Sequence, residues 1–155
     1  MPLKYGALAD NFATLTTAKT LVRLWPDAAG EECEVVELIM TGAGVTAAAD
    51  TQHTARLVRA TAGSVGTATA QTPEPFKGTR ASLSSVSVEY SSEPTVKATV
   101  FPVHFGFNQR GGMRWAVPQG EGVVIRNADT NLTGGWEVIS QAAGAVDGNV
   151  QWWEP

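Results

Sequence analysis

Residues able to do covalent or metal chemistry are few: one cysteine, Cys33, two histidines, His53 and His104, and 15 acidic against 11 basic side chains in 155 residues. Cys33 sits in the apolar run CEVVELIM with no His or Lys adjacent in sequence to stabilise a thiolate, so a buried, inert thiol is expected. A zinc site needs three or four ligands. His53 and His104 stand 51 residues apart without a Cys or carboxylate cluster nearby, so no metal is expected. No serine lies in a G-x-S-x-G elbow. Thr41-Gly42-Ala43-Gly44-Val45 lacks the Gly-Lys-Ser/Thr ending of a phosphate loop and reads as a turn. Glu32, Glu34 and Glu37 straddle both faces of one strand and form no acid–base pair, so solvated positions are expected for them. The expectation is a protein without catalytic residues, metal or cofactor.

The aromatic and arginine residues suggest contact rather than catalysis. Trp152 and Trp153 are consecutive in a strand pattern, so they point to opposite faces. One enters the core; the other lies outside, against solvent, sugar or a subunit. Large aromatics are enriched at protein interfaces, and no polar cluster marks a sugar pocket in the sequence, so a subunit contact is favoured over a glycan. Arg110 and Arg114 bracket a turn, where each can form a salt bridge or pair with a neighbour's carboxylate. Leu3, Tyr5, Leu8 and Phe12 form an apolar N-terminal segment ahead of the first firm strand. These eight residues are the candidate interface: Leu3, Tyr5, Leu8, Phe12, Arg110, Arg114, Trp152 and Trp153.

The net charge of −4 argues against a nucleic-acid partner, which calls for a basic patch or stripe. Charged residues are 17% of the chain, below the usual figure of about 25%. A low-charge surface of small residues suits a chain that buries its outside against other chains. No run approaches 18 apolar residues, and the N-terminus lacks the apolar stretch of a signal peptide, so no membrane association is expected.

Period-two alternation dominates the elements that must hold these residues. It predicts strands over Thr17–Trp25, Cys33–Met40, Thr54–Thr61, Leu83–Tyr90, Thr95–Phe107, Met113–Val117, Val123–Arg126, Trp136–Ser140 and Asn149–Glu154. Phe101, Val103, Phe105 and Phe107 share one face, with His104 on the other, and Pro102 demands an edge, a bulge or a bend. Residues 62–81 read as a long excursion with at most a short edge strand, and AAGAVDG (142–148) reads as a loop. Leu8, Phe12 and Leu15 at i, i+4, i+7 permit one or two helical turns. The predicted fold is all-β: an antiparallel two-sheet sandwich, jelly-roll-like, formed by residues 16–155 with an N-terminal arm over residues 1–15.

The runs Ser92-Glu93-Pro94-Thr95, Phe107-Asn108-Gln109-Arg110, Met113-Arg114-Trp115 and Gly122-Val123-Val124-Ile125, with Leu57 to Gly63 upstream, carry a resemblance. Over about residues 54–155 the chain resembles small proteins from the structural gene modules of tailed bacteriophages. The resemblance implies a β-sandwich virion component, a head decoration (cement) protein or another accessory structural protein, and brings no catalytic residues. The partners then expected are the major capsid protein and further copies of the chain, as a homotrimer or another ring. Its place is the capsid surface, after synthesis in the host cytoplasm. A carbohydrate- or receptor-binding module of a tail fibre is the alternative.

Overall fold

The computed structural model describes residues 1–14, 17, 19–28, 30–42, 50–60, 67–88, 90–93, 96–97, 103–126, 133–140 and 144–155. These form strands and turns, with no helix among the described residues. Thirteen strands follow in chain order: β1 Leu3–Thr14, β2 Lys19–Pro26, β3 Glu32–Gly42, β4 Gln52–Ala60, β5 Thr69–Gln71, β6 Glu74–Pro75, β7 Ser84–Val88, β8 Val96–Lys97, β9 His104–Asn108, β10 Met113–Ala116, β11 Val123–Arg126, β12 Thr133–Ser140 and β13 Gly144–Glu154. A front sheet runs β10-β3-β13-β1-β6, with β11 following β10 along the same edge of β3. A back sheet runs β5-β7-β2-β12-β4-β8, with β9 alongside β8 on the edge of β4.

The strand order makes this a jelly roll. Setting aside the insert β5–β7, the chain is one long antiparallel hairpin: β1 pairs with β13, β2 with β12, β3 with β10 and β11, and β4 with β8 and β9. Successive pairs fall in alternate sheets, giving the rolled, two-sheet closure of that fold. The insert, at the tip of the hairpin, returns to the opposite side. There β7 extends the back sheet beyond β2, β5 pairs with β7, and β6 adds two residues to β1.

The predicted N-terminal arm is corrected. Residues 3–14 are a full strand of the front sheet, paired with β13 from Leu3↔Glu154 to Thr14↔Gly144 and with β6 at Tyr5 and Gly6 only. Tyr5, Ala7 and Ala9 alternate into the core. Two of these inward residues are alanines, so the alternation has little hydrophobic contrast, and the Leu8–Phe12 spacing imitates a helix. The loop expected at 142–148 is corrected likewise, because β13 begins at Gly144. The excursion over 62–81, expected to hold at most one short edge strand, holds two, β5 and β6. Pro102 lies outside the described residues; the strands flanking it, β8 and β9, run along an edge of the back sheet.

The core lies between the sheets and includes Tyr5, Leu21, Leu38, Met40, Leu57 and Trp152. At Gly148 the sheets approach so closely that a Cβ would overlap the Leu21 side chain. In the turn between β10 and β11, Glu121 N donates to Pro118 O (3.1 Å), and Gly120 takes φ +93°, a backbone region costly for other residues. That turn coincides with an irregularity in β3, where Val36 is the extra residue between Val35↔Trp152 and Glu37↔Gln151.

Candidate functional site

Three side-chain arrangements stand out, and two are structural. The first is a latch at the end of β13. Glu154 is buried, at 1% exposure, and accepts from Ser82 Oγ (2.5 Å) and Trp152 Nε1 (2.9 Å) at Oε1, and from Leu83 N (2.8 Å) at Oε2. Tyr5 Oη donates to the carbonyls of Arg80 (3.1 Å) and Ala81 (3.2 Å), and Arg80 Nη2 donates to Pro155 O (2.7 Å). The latch ties the insert, from Arg80 to β7, onto the ends of β1 and β13. Cys33 lies beside it, also buried; burial pushes its thiol up to about 12, and the carboxylates of Glu154 and Glu32 add to the shift. About one such thiol in ten thousand is ionised at pH 8. A thiol reagent at that pH is therefore expected to leave folded protein unlabelled and to modify Cys33 fully once urea unfolds it. Rapid labelling of the folded chain would show that the strand opens or that the thiol is activated.

The second arrangement is an ion triad on the outer face of the front sheet. Glu37 Oε1 accepts from Arg114 Nε at 2.6 Å, and Oε2 from Lys4 Nζ at 3.1 Å. Burial alone would push this carboxyl up; the hydrogen bonds and charges of Arg114 and Lys4 outweigh it, and hold Glu37 below its ordinary range. The solvated position expected for Glu37 is thus corrected: long cations from β1 and β10 cover it. Glu34 instead accepts from Gly120 N (2.7 Å) and Gly122 N (2.6 Å), and Glu32 pairs with Arg126 (2.7 Å).

His53 is a further buried polar group, stacked on Phe107 with ring centroids 5.1 Å apart. Neither ring nitrogen has a hydrogen-bond partner among the described residues, and burial holds the imidazole below its ordinary value. Both depressed groups act in one direction. The unfolded chain binds the proton more readily than the folded one, so each contributes stability that is lost on acidification. For His53 the loss begins as pH falls through 6.5; for Glu37 it begins below 4.5. Unfolding free energy measured from pH 7.5 to 5 should therefore fall, by up to about 1.4 kcal/mol per pH unit for one proton. His53→Leu should flatten that slope, and an unchanged slope would show that His53 is not its source.

The third arrangement is open. A groove of about 710 Å³ runs between the edge of β1 and β5, lined by Gly6, Leu8, Gln71, Glu74, Phe76 and Asn149 among others. Phe76 is 59% exposed and Leu8 46%. The Phe76 ring lies over Gly6, where a Cβ would stand 3.0 Å from Cε2, and Lys4 Nζ sits 5.2 Å from its centroid. Asn149 Nδ2 donates to Ala7 O (3.3 Å), and Gln151 Nε2 donates to Asn149 Oδ1 (3.0 Å).

Of the eight residues expected at an interface, the structure brings few together. Tyr5 and Trp152 are both at 0% exposure and stack on each other (centroids 6.1 Å apart), so Tyr5 is corrected from the interface to the core, and Trp152 is the member of the Trp pair that enters it. Leu3 is half-buried against that core. Trp153 points the other way and is half-buried on the outer face, as consecutive residues require. Leu8 lines the groove, and Arg114 belongs to the triad. Arg110 is exposed in the turn after β9, far along the chain from the groove residues. The side chain of Phe12 lies outside the described residues. Sequence reasoning missed Glu154 and Phe76. A carboxylate two residues after a core Trp, and an aromatic among Pro and Gly in the excursion, were the available signals. Among the described residues no group of three metal-ligating side chains converges. Compared with protein-family models, curated proteins and solved structures, the chain matches none.

Proposed function

We propose that this chain is a structural protein of a tailed-phage virion, a jelly-roll module that binds the assembled head as an oligomer and stabilises it. The observation that carries this reading is the open groove beside β1, where Leu8 and Phe76 expose apolar surface. Exposed large apolar residues grouped at a groove mark interaction sites. The ion triad and the latch described above serve the fold rather than a ligand: Glu37 holds Lys4 and Arg114, and Glu154 holds the insert. The phage resemblance in the turns around residues 92–125 points the same way. A ligand that binds only the assembled state stabilises that state by mass action, which is how such a module would act on a head.

The test is co-sedimentation of the purified chain with undecorated heads of the encoding phage, alongside its mass by light scattering. Binding to heads but not to unassembled capsid subunits, with a raised temperature of head disruption, is the expected result. A monomer that ignores heads and binds glycans on an array would favour the second reading, a carbohydrate-binding module. One observation favours that alternative: Phe76 stands beside Glu74, Gln71 and Asn149, the aromatic-plus-polar grouping that a sugar site uses.

A further inference from the structure

We infer that the groove beside β1 receives an extended strand of a head protein, basic and apolar in composition, which adds to the front sheet at Leu8. The inference rests on the virion reading for the identity of the donor; the docking geometry rests on the edge of β1.

Strand β6 occupies this edge for two residues only, Tyr5↔Pro75 and Gly6↔Glu74. Phe76 N donates to Lys4 O (2.9 Å), so the backbone groups of Lys4 and, by two-residue alternation, of Gly6 and Leu8 face this side. The intervening groups face β13, as the bond from Asn149 to Ala7 O illustrates. The residues before Glu74, which would otherwise lie opposite Leu8, belong to the back sheet, where β5 pairs with β7. Among the described residues nothing continues the line of β6 past Leu8. The N–H and C=O of Leu8 therefore meet the groove, and only another extended backbone matches both at ladder spacing. The lane is short, because β1 carries an extra residue between Ala9 and Phe12, which re-aims the backbone.

Side chains along the lane specify the occupant. Leu8 and Phe76 offer exposed apolar surface on the outer face. Glu74 lies opposite Gly6, and Asp10 stands two residues beyond Leu8 on the same side of β1. Among the described residues neither carboxylate has an ion-pair or side-chain hydrogen-bond partner, and Lys4, the cation on the same strand, is held by Glu37. A Lys or Arg placed opposite Leu8 would lay its stem on the leucine and reach one of the two carboxylates. The gap towards the back sheet is bounded by Ala7 and Ala70, so inward positions of the guest suit small or β-branched residues.

Two variants test this. Leu8→Pro removes the N–H that faces the lane and leaves the ladder to β13 intact. Asp10→Lys with Glu74→Lys reverses charges at exposed side chains and guards against misfolding of the first variant. Binding to undecorated heads should weaken about tenfold or more in both. Amide exchange at Leu8 in the wild-type chain should slow on head binding. If both folded variants bind like wild type and Leu8 exchange is unaltered, the lane is not used although the virion reading stands. If the wild-type chain does not bind heads, the virion reading fails, and a short peptide alternating valine with lysine becomes the probe. Leu8 protection by that peptide, lost in the charge-reversed variant, upholds the lane; no protection overturns it. Leu8 protection that grows with protein concentration alone makes a second copy the occupant and overturns the assignment to a head protein. Glycan binding that leaves Leu8 exchange unchanged overturns it too.

Discussion

Trp152→Ala should lower the unfolding free energy by about 3–5 kcal/mol, the usual cost of deleting a fully buried large aromatic. For a domain of this length that is a fall of roughly 6–20 °C in melting temperature. Trp152 has no exposed surface; it pairs across the sheet with Tyr5 on one side and Val35 on the other, and its ring stacks on Tyr5. Its truncation leaves a cavity in the front half of the core and also deprives Glu154 of a donor. Trp153→Ala, on the opposite face of the same strand, should cost well under half as much, because that side chain is only half-buried. Urea unfolding of the two variants separates the residues. A Trp152→Ala variant of unchanged stability that loses oligomer mass would restore the interface role first expected from the sequence.

Glu154→Ala should cost about 3 kcal/mol. Removing the carboxylate leaves the Trp152 indole N–H, the Leu83 amide and the Ser82 hydroxyl without their acceptor, at about 1–3 kcal/mol for each donor that water cannot reach. Ser82 and Leu83 lie near the rim, so water recovers part of that loss and keeps the total below the sum. The defect should be partly local: amide exchange at Leu83 should accelerate more than exchange in β3, as the insert lifts from the ends of β1 and β13. Trp152 and Glu154 share a hydrogen bond, so the double variant should cost less than the two singles added. Additive costs, or equal acceleration of exchange throughout, would show that the carboxylate does not act as a latch.

Much of the back sheet was legible along the chain. Val86, Val88 and Tyr90 alternate with serines and are buried, and His104 is exposed while Phe107 is buried, as their parity requires. Turn residues marked the ends of β2, β7, β10 and β11 to within a few positions. These features are local, because pleating sends successive side chains to opposite faces whatever the partner strand is. The parity of Trp152 and Trp153 is equally local, and it established that one of them lies inside.

Only the tertiary structure decided which one. Trp152 faces inward because β13 lies between β1 and β3, in a register that sets it beside Tyr5 and Val35. The same pairing turned residues 3–14 from an arm into a strand of the front sheet, although Gly6, Ala7 and Ala9 give that strand little hydrophobic contrast of its own. Glu37 is covered by Lys4 and Arg114, which are 33 and 77 residues away in sequence, and Glu154 is held by Ser82 and Leu83 of the insert, 72 and 71 residues earlier. The groove at Leu8 exists because the chain leaves one sheet for the other between Glu74 and Gln71. Alternation is a property of neighbouring residues, and the sequence determines it directly; burial depends on which strands lie to either side, and in a jelly roll those strands come from opposite ends of the chain.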